Sequence, residues 1–232
     1  MTESKQNIQI KIERFHLSVK LGSIFFPLEL PELRPVLEEA GYTIRKELVE
    51  RLPETPTGVR LVVGGPIAEK RGTGQTFRLD PDRGIVAIAG QDVNAVVEDF
   101  LNLEGLIKDK LDVPLSADAL FYEFIAEGSA VTGKDPTKVV ARLFQGSRLQ
   151  SKISEILGCS TTNFGVRVVE QNRYVTDRKW LDFSIEPLIP KPKTTYRISV
   201  TYRHPERENV VRTAKSLSRT VQALLSAIEQ EA

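Results

Sequence analysis
Gly128-Ser-Ala-Val-Thr-Gly133-Lys134 has the glycine, glycine, lysine spacing with which a loop can cradle phosphate, and it lies between a predicted strand and a predicted helix. The next residue is Asp135 rather than the serine or threonine that would hold magnesium, and a carboxylate there opposes a phosphate. Asp135 followed by Pro136 is better read as a helix cap with proline in the first turn. Asp80 and Asp82 are the tightest acidic pair considered, and they stand in a turn where acids commonly cap. The two histidines, His16 and His204, are isolated and lack metal-ligand spacing. Cys159 is the only cysteine; it excludes an intrachain disulfide, suits a reducing cytoplasm, and reads as a small buried hydrophobe. These residues give no nucleophile–base arrangement, so the expectation is a protein that is not an enzyme, with no catalytic residue, metal or cofactor.

Binding residues are easier to nominate. Lys70 and Arg71 begin a glycine-rich turn between two predicted strands, and Arg173, Arg178 and Lys179 occupy the corresponding connection later in the chain. Arg60 and Arg167 stand one strand upstream of each. Positive tips around a sheet can straddle a phosphodiester backbone or an acidic protein surface. Trp180 alternates with Asp182 and Ser184, on the parity opposite to Phe183 and Ile185, which puts it on the uncovered sheet face as a stacking or anchoring residue.

These positions recur because the chain reads as written twice. Phe15–Ser23 matches Phe121–Ser129 at an offset of 106, Gly58–Val63 matches Gly165–Glu170 at 107, and Phe77–Pro81 matches Phe183–Pro187 at 106. The expected halves are 1–112 and 113–232, together one pseudo-symmetric domain. Residues 7–21 form a strand whose apolar phase switches near Glu13-Arg14, the mark of a bulge. A helical region follows over 31–50, interrupted at Gly41, then a proline-containing loop over 52–58 and strands near 59–64, 75–80 and 85–89. Asp92 caps a helix with Val96, Val97, Phe100, Leu103 and Ile107 on one face. In the second half a strand at 118–127 leads to the Asp135 helix, with Val139, Val140, Leu143 and Phe144 on one face. Strands at 164–170, 179–186 and 195–202 follow, and an amphipathic helix from Val210 to Ile228 closes the chain. The fold class is therefore α+β: duplicated β-α-β-β-β-α halves forming one curved antiparallel sheet of about eight strands, helices on one face, the other open to a partner.

This order resembles the TATA-binding protein fold. Ser18-Val-Lys-Leu-Gly22 is similar to that family's first strand entering its first helix, and Val59-Arg-Leu-Val62 and Val166-Arg-Val-Val169 to the strand after that helix. Asp82-Arg-Gly-Ile-Val-Ala-Ile-Ala-Gly90 resembles the hairpin and strand before the second helix. The resemblance implies a saddle that could grip DNA without sequence specificity. The family's wedge turns, where phenylalanine enters the minor groove, correspond here to Asp80-Pro81-Asp82 and Glu186-Pro187-Leu188, whose carboxylates repel phosphate.

Charge narrows the partner. The net charge of +1 is far from that of a general polyanion binder, although residues 1–112 carry 15 basic and 18 acidic groups and residues 113–232 carry 17 and 13. No membrane-length apolar run or signal-peptide core is present, so the expected location is cytoplasmic. The reading is a non-catalytic module that holds a protein or nucleic acid on its open sheet face with basic hairpin tips. The alternative is a small-molecule binder with a pocket between sheet and helices, which Gly64-Gly65 could help to open. A homodimer through an exposed edge strand is compatible with either.

Overall fold
Two thirteen-residue strands, β1 (Gln9–Leu21) and β6 (Ala119–Val131), run antiparallel through the middle of the molecule. The computed structural model describes residues 8–23, 27–45 and 66–231. Beyond β1 lie β5 (Ile85–Gly90), β4 (Thr76–Asp80), β3 (Pro66–Lys70) and β2 (Tyr42–Ile44); beyond β6 lie β9 (Thr195–His204), β8 (Trp180–Pro187) and β7 (Val166–Val169). The result is one nine-stranded antiparallel sheet, with six α-helices among the described residues, of the expected α+β class. The helices are α1 (Leu30–Glu39), α2 (Val93–Leu111), α3 (Pro136–Leu143), α4 (Arg148–Leu157), α5 (Arg207–Lys215) and α6 (Leu217–Glu231).

The phase change in β1 is a bulge. The ladder to β6 shifts between Ile12 and Arg14, so Ile10 and Ile12 face the helices on one side of it and Phe15, Leu17, Val19 and Leu21 on the other. Gly128 of β6 stands opposite Ile12, and a Cβ there would lie 2.4 Å from the Lys11 carbonyl oxygen. The glycine is thus required where the bulge crowds the partner strand. It lies within β6, and Lys134 donates to the Glu229 backbone carbonyl of α6, so the phosphate-loop spacing forms a strand end and a helix anchor.

Strand order is the same outward from the β1–β6 seam: β5, β4, β3 one way and β9, β8, β7 the other. Phe77 and Phe183 both face the core, in keeping with their offset of 106. The match of Phe15 to Phe121 is out of register. Phe15 is buried against the helices, whereas Phe121 points to the opposite face, 4.2 Å beneath the Arg203 guanidinium. Leu17 pairs with Phe124, so a two-fold equivalence of β1 and β6 requires an odd offset, 107 at that pair, because successive side chains alternate faces.

The caps at Asp92 and Asp135 form as expected, each side chain accepting a backbone N–H of the first turn. Other boundaries differ. The helix expected over 31–50 ends at Glu39, where Gly41 takes a positive φ of 84° and the chain turns into β2. The closing helix is two helices broken at Ser216, and α4 is additional. The proline-containing loop, the strand near 59–64, the 58–63 repeat match, Arg60 and Gly64-Gly65 lie outside the described residues; the next strand described is β3.

Strand tyrosines pin the helices to the sheet. Tyr42 of β2 donates to Asp99 of α2 at 3.1 Å, and Lys70 pairs with the other Asp99 oxygen at 2.5 Å. Tyr122 of β6 donates to Glu104 of α2 at 3.0 Å, and Arg207 of α5 bonds the second oxygen at 2.7 Å. Tyr196 of β9 lies beside the buried Glu229 of α6 without a well-aligned hydrogen bond, and burial first, then the nearby carboxylate, raises the phenol's pKa. In the first two sets the carboxylate, half-buried at Asp99 and buried at Glu104, has both a hydroxyl and a cation, the condition under which burying charge is tolerated.

Candidate functional site
The nominated basic residues do not converge. Lys70 is directed to the helical side and held by Asp99. Arg71 is exposed on the β3–β4 turn, and Arg178 is exposed on the β7–β8 connection. Arg173 and Lys179 both pair with Glu170, at 3.8 and 3.1 Å. Arg167 makes a bidentate bond to Asp182 at 2.9 and 2.6 Å. Trp180 has the expected parity, opposite Arg203, but is only 8% exposed. Arg203 reaches the carbonyls of Val175 and Asp177, so the β7–β8 connection folds back over that corner. The tryptophan is a buried packing residue and not a stacking platform. Local alternation gives the face of a residue, not what covers it.

No described helix packs on the second sheet face, where cross-strand ion pairs offset much of the charge. Arg14 lies opposite Glu127, Arg203 opposite Glu123 and Arg197 opposite Glu186, each an ion pair across neighbouring strands, with Arg167 and Asp182 completing the row. His16 lies on this face too, its Nε2 buried without a partner among the described residues. Burial first, then the Arg78 and Arg14 charges, drop its pKa to about 4, so at neutral pH it is an uncharged imidazole.

A pH prediction follows from the sign of that shift. Between pH 4 and 6.5 the unfolded chain binds a proton at His16 that the folded chain refuses, so stability must fall on acidification through that window. The loss, complete below about pH 4, is about 3 kcal/mol. Urea unfolding of wild type and His16→Gln at a series of pH values should show a shallower slope for the variant; equal slopes would sink the assignment.

Apolar exposure concentrates instead at the β7 end of the molecule. Helix α4 has no buried residue, and its apolar side chains follow helical spacing: Leu149 is 67% exposed, Ile156 73%, and Ile153 and Leu157 are also exposed. Gly158 closes the helix in the left-handed conformation, and Gln150 and Ser154 tie it to Thr161, so helix and tail form one unit. Cys159, expected to be buried, is exposed just beyond this cap. Phe144, expected on the buried face of α3, is exposed at its end, and Phe164 in the tail is exposed too.

The outer strands and α6 leave a gap. Val166 and Val168 of β7, Leu181 and Phe183 of β8, and Leu224 and Ile228 of α6 border an apolar cavity of about 160 Å³. Val168 is 51% exposed and Leu224 37%, so the gap opens to the surface as a groove. The signal for this surface was in the sequence, in the spacing of Leu149, Ile153, Ile156 and Leu157, but a stripe looks the same whether it finds a neighbour or not. A second cleft, about 720 Å³, lies where α5 gives way to α6 against Leu101 of α2. Among its cations, Arg207 is held by Glu104 and Glu208, and Arg212 by Asn209.

No protein-family model matches the chain, and no curated protein matches it. Among the described residues no group of His, Cys, Asp and Glu could hold a metal ion, and no helix is long and apolar enough to cross a membrane.

Proposed function
We propose that this chain is a non-catalytic binding module whose partner is a protein, docked as an amphipathic helix along the groove between α6 and β7–β8. The supporting observation is the pairing of an exposed apolar helix with an unfilled apolar groove, since monomeric surfaces rarely leave contiguous apolar patches uncovered. Nucleic acid is the weaker partner: most of the nominated cations are already paired, and the turns corresponding to the TATA-binding wedges are acidic. The lone, exposed Cys159 suits a reducing compartment such as the cytoplasm. A small apolar ligand is the second reading because the cavity lies between sheet and helices, but its volume is below the ~300 Å³ at which ligand pockets begin.

Fluorescence anisotropy tests the proposal. A labelled synthetic amphipathic helix with leucine and isoleucine at i, i+4, i+7 and i+8 should bind saturably, and Leu224→Asp should weaken it at least about tenfold. Equal binding to wild type and variant, or none to either at concentrations where the chain is monomeric, would remove the groove from consideration. Labelled duplex and single-stranded DNA should show no salt-dependent binding; affinity that falls steeply with salt and is lost in Arg71→Ala with Arg178→Ala would replace the protein reading with a nucleic-acid one.

A further inference from the structure
On the reading that this surface docks protein, we propose that its occupant is a second copy of this chain. In the dimer β7 pairs antiparallel with β7 of the partner subunit across a two-fold axis, and each α4 lies along the other protomer's groove.

The first observation is the state of the β7 edge. Among the described residues β7 is the last strand of the sheet, hydrogen-bonded to β8 alone. Free edges are ordinarily guarded by short length, charge, proline or a bulge. Val166–Val169 is short but has no lysine, proline or bulge; its single charge, Arg167, is held by Asp182, and Val168 and Val169 are exposed. Its outer backbone groups have no strand partner among the described residues and are open to pairing.

The second observation is self-complementarity. One chain carries a helix with an unpartnered aliphatic stripe and a groove of aliphatic lining that the helix does not enter. A foreign helix in the groove leaves α4 exposed, and a foreign groove over α4 leaves the chain's own groove open. A second copy covers both surfaces on both protomers, as an isologous interface does.

The third observation is position. Residues 158–165 join α4 directly to β7, so antiparallel β7 pairing brings the partner's tail within one strand spacing, about 4.8 Å, of the groove wall formed by Val166 and Val168. Identical strands pairing antiparallel satisfy a two-fold axis, and two-fold closure stops at the dimer instead of growing a filament.

Sedimentation equilibrium of the full chain, from micromolar to submillimolar concentration, is the deciding experiment. The wild type should be a dimer. Ile156→Asp on the helix and Leu224→Asp on the groove should each weaken association at least about tenfold. Both positions are exposed, and circular dichroism will show that each variant remains folded. An equimolar mixture of the two variants should dimerise more strongly than either alone, because the mixed dimer retains one intact helix–groove contact. A monomeric wild type, a dimer indifferent to both substitutions, or a mixture with no recovery overturns the inference. A monomer that still binds the synthetic helix overturns self-association alone; a monomer that binds none removes the docking groove as well.

Discussion

Replacing Gly128 by alanine should destabilise the protein by about 3 kcal/mol, although the change adds one methyl group. The new Cβ would meet the Lys11 carbonyl oxygen at 2.4 Å and the Ile12 Cα at 3.2 Å. Both are backbone atoms of the central strand, so relief cannot come from a rotamer change and requires β1 and β6 to part at the bulge. For a chain of this length the melting temperature should fall by roughly 10 °C. Gly133→Ala is the control: nothing lies within 4 Å of its Cβ, and it should be neutral. Thermal denaturation of both variants also separates a phosphate loop from a strand. A loop that cradles phosphate needs both glycines for binding, whereas this structure needs only Gly128, for folding. An unchanged melting temperature in Gly128→Ala would mean that the bulge is misplaced.

Removing the Glu104 carboxylate should cost about 3 kcal/mol, the low end for breaking a buried ion pair. Glu104 is buried, and among the described residues it alone satisfies the Tyr122 hydroxyl while anchoring Arg207 to α2. In Glu104→Ala the phenol is left in apolar surroundings without an acceptor, which is the larger part of the loss. Arg207 suffers less, because it is partly exposed and keeps Glu208 at 2.9 Å. Tyr122→Phe removes one hydrogen bond and should cost about 1 kcal/mol, and Glu104→Gln, which still accepts from Tyr122, should fall between the two. Urea unfolding at neutral pH orders the three variants; a Glu104→Ala midpoint equal to wild type would show that this contact does not hold α2 and α5 to the sheet.

The inferred docking surface shows why function was harder to read than fold. Arg167, Arg173 and Lys179 were legible as cations, but their neutralisation depends on Asp182 and Glu170, which the β7–β8 connection and cross-strand pairing bring near. Lys70 was legible as a hairpin residue, yet the direction of its side chain is set by Asp99, twenty-nine positions away on α2. Cys159 was read as buried from its residue type, and it is exposed just past α4, a helix with no buried residue.

The sequence by itself determined whatever depends on adjacent residues. The bulge follows from the phase switch at Glu13-Arg14, the helix starts from Asp92 and Asp135, and the α+β class from the order of period-two and period-3.6 segments. Each is a local preference that neighbouring residues express without help. Only the tertiary structure decided which face of each element is covered: the odd offset between β1 and β6, the burial of Trp180, the exposure of the α4 stripe and the open groove between α6 and the outer strands. A periodic pattern records that a segment has an apolar side, and burial is a relation between segments that becomes definite only when the chain has closed on itself.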